Sequence, residues 1–510
     1  MGRAARSPRA DRAGAERGGV RRAALLVAFA LAAVGCGGRA ADDSAARRHP
    51  GDTRFVTLVD RDGDGRLEAG RGEPLFALGG PAGRTTKVLA TFAQITDPHV
   101  RDEESPARVP FLDRLGAPFT STFRPQEALT AQTLEAAVES VNALPLDAVV
   151  VTGDIADNAQ RNELVWALEV LRGGIVRPDS GARGPSGPQL ASDPDPFYYR
   201  PDVDAPRHPG LLARAQRPFR SQGLRAPWHA VLGNHDLLVQ GELAPDARTQ
   251  AAATGDRAVV RLDLDRLRGP ALPRADRFGE GGTGPIGTAT VARVLASGAA
   301  VRVTPDRGRR EITPTEAGAL VRRFSGRREL RAFDLGPHVR GIALDLVRRA
   351  GGSDGDVTAA TLAGLRRELA RAGDRPVVVF SHQPLDRSAG GNAALDLLER
   401  DPHAIAAVAG HTHRNEIRRR GRLWLITTAS LVDFPQQARA FRLVRTAGGG
   451  LALETWMLDH GAGPAGLATI SRDLSFLDAQ GGRPGNFAGR RADRNARLNL
   501  RTGGPAPARR

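Results

Sequence analysis

The sequence predicts an α/β fold of two packed sheets flanked by helices. Three observations carry the prediction. From residue 88 onward, short apolar runs alternate with segments whose apolar residues recur at helical spacing. The helical segments are long enough to cover the outer faces of sheets. Almost every apolar run ends in Asp, Asn or His, the pattern of an α/β sheet whose functional groups sit at the carboxyl ends of its strands.

The elements follow in order. "VLATFAQI" (88–95) reads as a buried strand, and "PQEALTAQTLEAAVESVNAL" (125–144) as a helix with Leu134, Val138 and Val141 on one face. "DAVVV" (147–151) is a strand and "NAQRNELVWALEVLRG" (158–173) a helix. "GARGPSGPQLASDPDP" (181–196), rich in Pro, Gly and Ser, is an exposed loop. "WHAVL" (228–232) is a strand. Residues 240–335 mix Gly, Pro and Arg with short alternating runs and read as an insertion. "GIALDLV" (341–347), "PVVVF" (376–380), "AIAAVA" (404–409) and "LWLITT" (423–428) are strands. Between the first two, "DVTAATLAGLRRELARAG" (356–373) is a helix with Asp356 as its N-cap. No internal repeat is evident.

Composition narrows the class. Apolar content of 41% and charged content of 25% are those of a globular protein, and aromatics at 5% leave the core to Ala, Val and Leu. Lys87 is the only lysine among 73 basic residues, which points to a GC-rich coding background. The formal charge of +16 gathers at the ends, with +5 in residues 1–35 and +7 in residues 483–510. The body keeps +4, too little for a basic nucleic-acid groove. The basic end could still touch anionic polymers or lipid headgroups.

The N-terminus resembles an export signal: an Arg-rich stretch ending in Arg21-Arg22, then "AALLVAFALAAV" and "GC". The run is too short to span a bilayer. "AVGC" resembles a bacterial lipobox, with Cys36, the only cysteine, as the lipid-modified residue. The expectation is an exported lipoprotein of the cell envelope, held to the membrane at Cys36. A secretory signal with an incidental cysteine is the alternative, and the arginine pair also fits twin-arginine export. "VDRDGDGRLEAGRGEP" (59–74) imitates a calcium loop through Asp60, Asp62 and Asp64. Arg71 stands where the bidentate Glu belongs, so an Asp/Gly turn between short strands is expected. The predicted domains are the signal (1–35), a linker and small N-terminal segment (36–87), a main domain (88–460) with its insertion at about 240–335, and a basic extension (461–510). The extension is expected to be disordered beyond about residue 480.

Five motifs close the strands: "TDPH" with Asp97 and His99, "TGD" with Asp154, "GNHD" with Asn234, His235 and Asp236, "SHQP" with His382, and "GHTH" with His411 and His413. Neighbouring strand ends open onto one crevice, so these residues are expected to meet. Each motif alone is weak; five in order, each after an apolar run, are not coincidence. The other histidines (His49, His208, His229, His338, His403, His460) have no such setting and read as surface or structural.

In this order the motifs resemble the calcineurin-like metallophosphoesterases, whose signature is D-x-H, GD, GNHD, H, GHxH. The resemblance covers residues 88–435, and "TTASLVDFPQQAR" (427–439) is similar to a strand end and loop of exported bacterial members. It implies a four-layer sandwich and two divalent metal ions. Asp97, His99 and His413 would hold the first, Asn234, His382 and His411 the second, and Asp154 would bridge them. His411 and His413, being i and i+2 in an extended segment, would both face the crevice. The donor set suits Mn²⁺, Fe²⁺ or Zn²⁺. Purple acid phosphatases in this superfamily carry a Tyr ligand three residues past the bridging Asp; here Asp157 stands there, so no tyrosinate–ferric centre is expected. The implied activity is hydrolysis of phosphomonoesters or phosphodiesters outside the cytoplasm by a metal-bridging hydroxide, with His235 acting on the leaving-group side and Asp236 orienting its ring. Arg101, Arg161 and Arg414 lie nearest the motifs but read as solvated surface rather than phosphate ligands. The alternatives are a metal-dependent nuclease and a catalytically silent envelope lipoprotein that binds phosphate-rich polymers. No protein partner is implied.

Overall fold

Two sheets, each buried on both faces, make up the middle of the molecule. The computed structural model describes residues 50–80, 83–109, 123–261 and 298–500. The export-signal reading, Cys36, the middle of the insertion (262–297) and the last ten residues lie outside the described residues.

The first sheet has seven strands, in the order Phe76–Leu78, Ala496–Leu500, Leu451–Asp459, Gln437–Thr446, Thr85–Ile95, Ala148–Thr152 and Trp228–Val231. The second has six: Ala332–Asp334, Arg340–Leu344, Val377–Ser381, Ala404–Ala409, Leu423–Thr427 and Glu416–Arg420. Thr85–Ile95, Ala148–Thr152 and Trp228–Val231 run parallel, as do Arg340–Leu344, Val377–Ser381, Ala404–Ala409 and Leu423–Thr427. Five of these seven strands precede a candidate motif.

Alternate side chains divide the apolar residues between two sides of each sheet. Phe92, Val150 and Val231 of the first sheet meet Phe380, Val408 and Ile426 of the second in the core between the sheets. Phe92 stacks on Phe441 at 4.9 Å and meets Phe380 edge-on at 6.0 Å, so few aromatics pin both sheets together. On the outer face of the first sheet, Ala93, Ile95, Val149 and Val151 pack under helices Thr130–Val141, Arg161–Arg172 and Pro314–Ser325. On the outer face of the second, Val377, Val379 and Leu425 pack under Ala359–Ala372 and Gly391–Arg400. The result is the four-layer α/β sandwich expected.

Several details differ. The helix read from Asp356 starts later, capped by Thr358, whose hydroxyl accepts the Thr361 N–H at 3.1 Å. The strand read over 341–347 ends at Leu344. The insertion is only partly a separate body: Arg257–Arg261 and Ala299–Arg302 form a small ribbon, but Pro314–Ser325 joins the outer helix layer through Ala317, Leu320 and Val321. The segment after residue 460 is folded as far as Leu500. Helix Leu467–Leu477 packs on Thr130–Val141, and Ala496–Leu500 pairs antiparallel with Leu451–Asp459. Eight arginines in 483–510 suggested a solvated tail, but Ala496 and Leu498 bury into the core between the sheets. Asp60–Asp64 fills the turn between Val56–Val59 and Glu68–Arg71, with Asp60 accepting the Gly63 N–H at 2.8 Å and the Gly65 N–H at 3.3 Å.

Candidate active site

The five motifs leave the carboxyl ends of Thr85–Ile95, Ala148–Thr152, Trp228–Val231, Val377–Ser381 and Ala404–Ala409, strands drawn from both sheets. Asp97, His99, Asp154, Asn234, His235, Asp236, His382, His411 and His413 all come to that rim, and all are buried. Five of them are bent into the left-handed region: Asp97 (φ 50°), His99 (43°), Asp154 (47°), His411 (66°) and His413 (52°). Non-glycine residues occupy it at a cost of order 1 kcal/mol or more each, and such strain clusters where function demands a particular aim. The extended geometry expected for His411 and His413 is therefore not the one found. Two left-handed residues around a tight turn, with the Thr412 N–H on the Gly410 carbonyl at 2.7 Å, send the rings to different clusters.

In the first cluster, the Nε2 atoms of His99 and His413 lie 3.1 Å apart, and Asp97 Oδ1 is 3.4 Å from His413 Nε2. In the second, His382 Nε2 lies 3.0 Å from both Asp154 Oδ2 and Asn234 Oδ1, with the His411 ring 5.0 Å away edge-on. Asp154 stands between them, its Oδ2 also 3.7 Å from His99 Nε2. Donor atoms of Asp97, His99 and His413 fall within 4.8 Å of one another, as do those of Asp154, His382 and His411 and those of His99, Asp154 and His235.

The motif glycines have a steric reason. A Cβ on Gly233 would lie 2.1 Å from Asp154 Oδ1, and one on Gly410 would lie 2.0 Å from Thr96 Oγ1 and 2.3 Å from Asp97 Oδ2. Neither position can carry a side chain while the carboxylates keep their places.

What sets the ring orientations lies one layer out. His99 Nδ1 meets Asp157 Oδ1 at 3.0 Å, His413 Nδ1 meets Asp433 Oδ2 at 2.6 Å, and His382 Nδ1 meets the Thr152 carbonyl at 2.8 Å. Each partner accepts, so each Nδ1 carries the proton and each Nε2 turns its lone pair inward. Asp157 and Asp433 were not among the residues singled out from sequence as ligands or catalytic groups. Asp157, three residues past Asp154, could have been found as a second carboxylate in the same loop; nothing marked Asp433.

Asp236 corrects an expectation. Its Oδ1 accepts the Ile155 and Ala156 N–H groups, both at 2.8 Å, and its Oδ2 accepts the Gly233 N–H at 2.8 Å. The carboxylate thus ties two strand-end loops together instead of orienting the His235 ring. Burial, and then the nearby Asp154 charge, push its pKa up to about 7. The His235 ring meets Asp157: Nδ1 lies 2.6 Å from the Asp157 carbonyl and 3.7 Å from Oδ1. The arginines divide three ways. Arg101 is buried against Glu127, Arg161 pairs with Glu316 at 3.5 Å, and Arg414 is exposed.

These residues fit a pair of cations. Ligand atoms ~2.1 Å from one ion lie about 3.0 to 3.4 Å apart at right or tetrahedral angles, which is the spacing of the ring nitrogens and carboxylates here. Asp154 Oδ2 is buried and faces only ring nitrogens, His382 Nε2 at 3.0 Å and His99 Nε2 at 3.7 Å, and a buried carboxylate oxygen so placed calls for positive charge. Burial alone would lower the His382 pKa, yet Asp154 and Asp97 raise it to about 9. The crevice draws a proton where it would equally draw a metal.

No family model matches the chain, and no curated protein matches it. Solved structures do show likeness. A dimetal phosphatase from Danio rerio aligns at 14% identity over 73% of this chain and 97% of that one, with a TM-score of 0.37. A protein described as a 5'-nucleotidase from Staphylococcus aureus aligns at 11% identity over 76% of this chain but 58% of that one (TM-score 0.31). A purple acid phosphatase from yellow lupin aligns at 9% over 77% of this chain and 54% of that one (TM-score 0.29). All three are calcineurin-like metallophosphoesterases, and the likeness to them is one of fold.

Proposed function

We propose that the protein is a two-metal phosphoric ester hydrolase acting outside the cytoplasm. The observation that carries the reading is the pair of buried donor clusters sharing Asp154, with the rings of His99, His382 and His413 aimed inward by acceptors behind them. Asp97, His99 and His413 would hold one ion; Asn234, His382 and His411 would hold the other, with Asp154 common to both. Divalent ions bound there would polarise a phosphoryl group and lower the pKa of water towards ~7.

The chain's own residues supply the rest. Asp154 Oδ1 accepts the His235 N–H at 2.8 Å, fixing that loop against the crevice. With Nδ1–H donated to the Asp157 carbonyl, His235 presents Nε2 to the site, and a ring protonated there can donate to a departing alkoxide. Asp157 Oδ1 stands 3.0 Å from His99 Nδ1 and 3.7 Å from His235 Nδ1, bracing both rings.

The export reading rests on residues 1–36 and is a proposal of its own. Among the described residues no helix is long and apolar enough to cross a membrane. The testing experiment is a screen of aryl phosphomonoesters, phosphodiesters, cyclic nucleotides and glycerophosphodiesters with Mn²⁺, Fe²⁺ or Zn²⁺. Metal-dependent turnover of at least one ester class is expected. Hydrolysis that is absent throughout, or unchanged by chelator, would contradict the reading.

A further inference from the structure

His413 is held from behind by charge that comes from the far end of the chain. Its Nδ1 meets Asp433 Oδ2, and Asp433 is itself buried. Two guanidinium groups grip that carboxylate. Arg124 places Nε on Oδ1 at 2.8 Å and Nη2 on Oδ2 at 3.3 Å, and Arg483 places Nη2 on Oδ1 at 2.5 Å. Arg483 is anchored in turn by Asp478, through Nε at 3.0 Å and Nη2 at 2.6 Å. The second cluster has no such support at His382, whose Nδ1 rests on the neutral Thr152 carbonyl. An imidazole backed by an ionised carboxylate is the more basic ligand, and its orientation is the more strongly fixed.

We propose that Arg483 is a positioning residue for the first metal cluster: with Arg124 it locks Asp433, and so keeps His413 Nε2 on Asp97 and His99. The C-terminal segment thereby sets the affinity of one of two unequal metal positions. This rests on the two-metal reading above. A purely mechanical role for Arg483, tying down the segment that carries it, makes a different prediction, because the same segment has a second tether. Arg494 pairs with Glu73, Nε to Oε2 at 2.8 Å, without touching Asp433.

The test titrates Mn²⁺ alone into the full chain, following free Mn²⁺ by electron paramagnetic resonance, with the melting temperature of each metal-stripped variant recorded alongside. Wild type is expected to take up two ions of different affinity. Arg483→Met should weaken one of them about tenfold or more and leave the other unchanged, while Arg483→Lys should recover most of the loss and Arg494→Met should cause none. Should Arg483→Met fail to fold, Asp433→Asn, which keeps the shape and removes the charge, should weaken the same single ion. Wild-type affinities in Arg483→Met (or, in its place, Asp433→Asn), or an equal loss in Arg494→Met, would overturn the inference. Wild type that takes up fewer than two ions would instead overturn the functional reading beneath it.

Discussion

His235 and Asp236 are neighbours in one motif, yet the structure separates their work. His235 reaches the crevice and Asp236 does not, because its oxygens are already committed to three backbone N–H groups. The separation predicts different failures. His235→Ala should keep its metals and its melting temperature and lose about 10²- to 10⁴-fold in turnover. Asp236→Ala leaves three buried donors without an acceptor and should lower stability by about 3 kcal/mol or more, seen as a fall in melting temperature with or without metal. Asp154→Ala and His411→Ala should each abolish metal-dependent hydrolysis of a chromogenic phosphodiester while circular dichroism stays unchanged. Identity and order of these residues were legible in the sequence, since D-x-H, GD, GNHD and GHxH each follow an apolar run. Their mutual contacts were not: which oxygen faces which N–H depends on left-handed turns at Asp97, His99, Asp154, His411 and His413, and nothing in those residue types announces a positive φ.

At the scale of elements, apolar runs found the parallel strands because those are buried on both faces. The long hairpin Gln437–Thr446 and Leu451–Asp459 escaped notice, for its first strand carries arginines at 439, 442 and 445. Arg439 is fully buried, donating to Thr428 Oγ1, Asn415 Oδ1 and the Asp493 carbonyl, a compensation that sequence pattern cannot display. His229 likewise read as structural or surface, and the fold gives it a definite place. Its strand, Trp228–Val231, is one edge of the first sheet, and its ring stacks on Phe333 at the edge of the second, 3.9 Å between centroids and 9° between planes. Burial, then the nearby Arg327, lowers its pKa to about 4. Because the folded state resists protonation, an unfolded chain binds the proton first as pH falls through 6.5. Stability from this group is therefore whole above pH 6.5 and declines towards pH 4, by up to roughly 3 kcal/mol. His229→Phe keeps the stack and should flatten the dependence of melting temperature on pH over that window; an unchanged slope would count against the assignment.

For the molecule as a whole, the chain closes on itself. Ala496–Leu500 lies between Leu451–Asp459 and Phe76–Leu78 in the first sheet, so residues on either side of the motif-bearing region complete one layer. Deleting residues 484–510 keeps Arg483 but uncovers the Leu451–Asp459 edge, which should lower the melting temperature and the soluble yield. The sandwich, in turn, lets strand ends from two sheets share a rim, where Asp154 stands between the two donor clusters. The most direct test is a metal count: the purified chain, equilibrated with Mn²⁺ or Zn²⁺ and desalted, is analysed by inductively coupled plasma mass spectrometry. Two ions per wild-type chain, with loss from both positions in Asp154→Ala, is the predicted result. Fewer than two ions in wild type, or an unaltered count in Asp154→Ala, would contradict it.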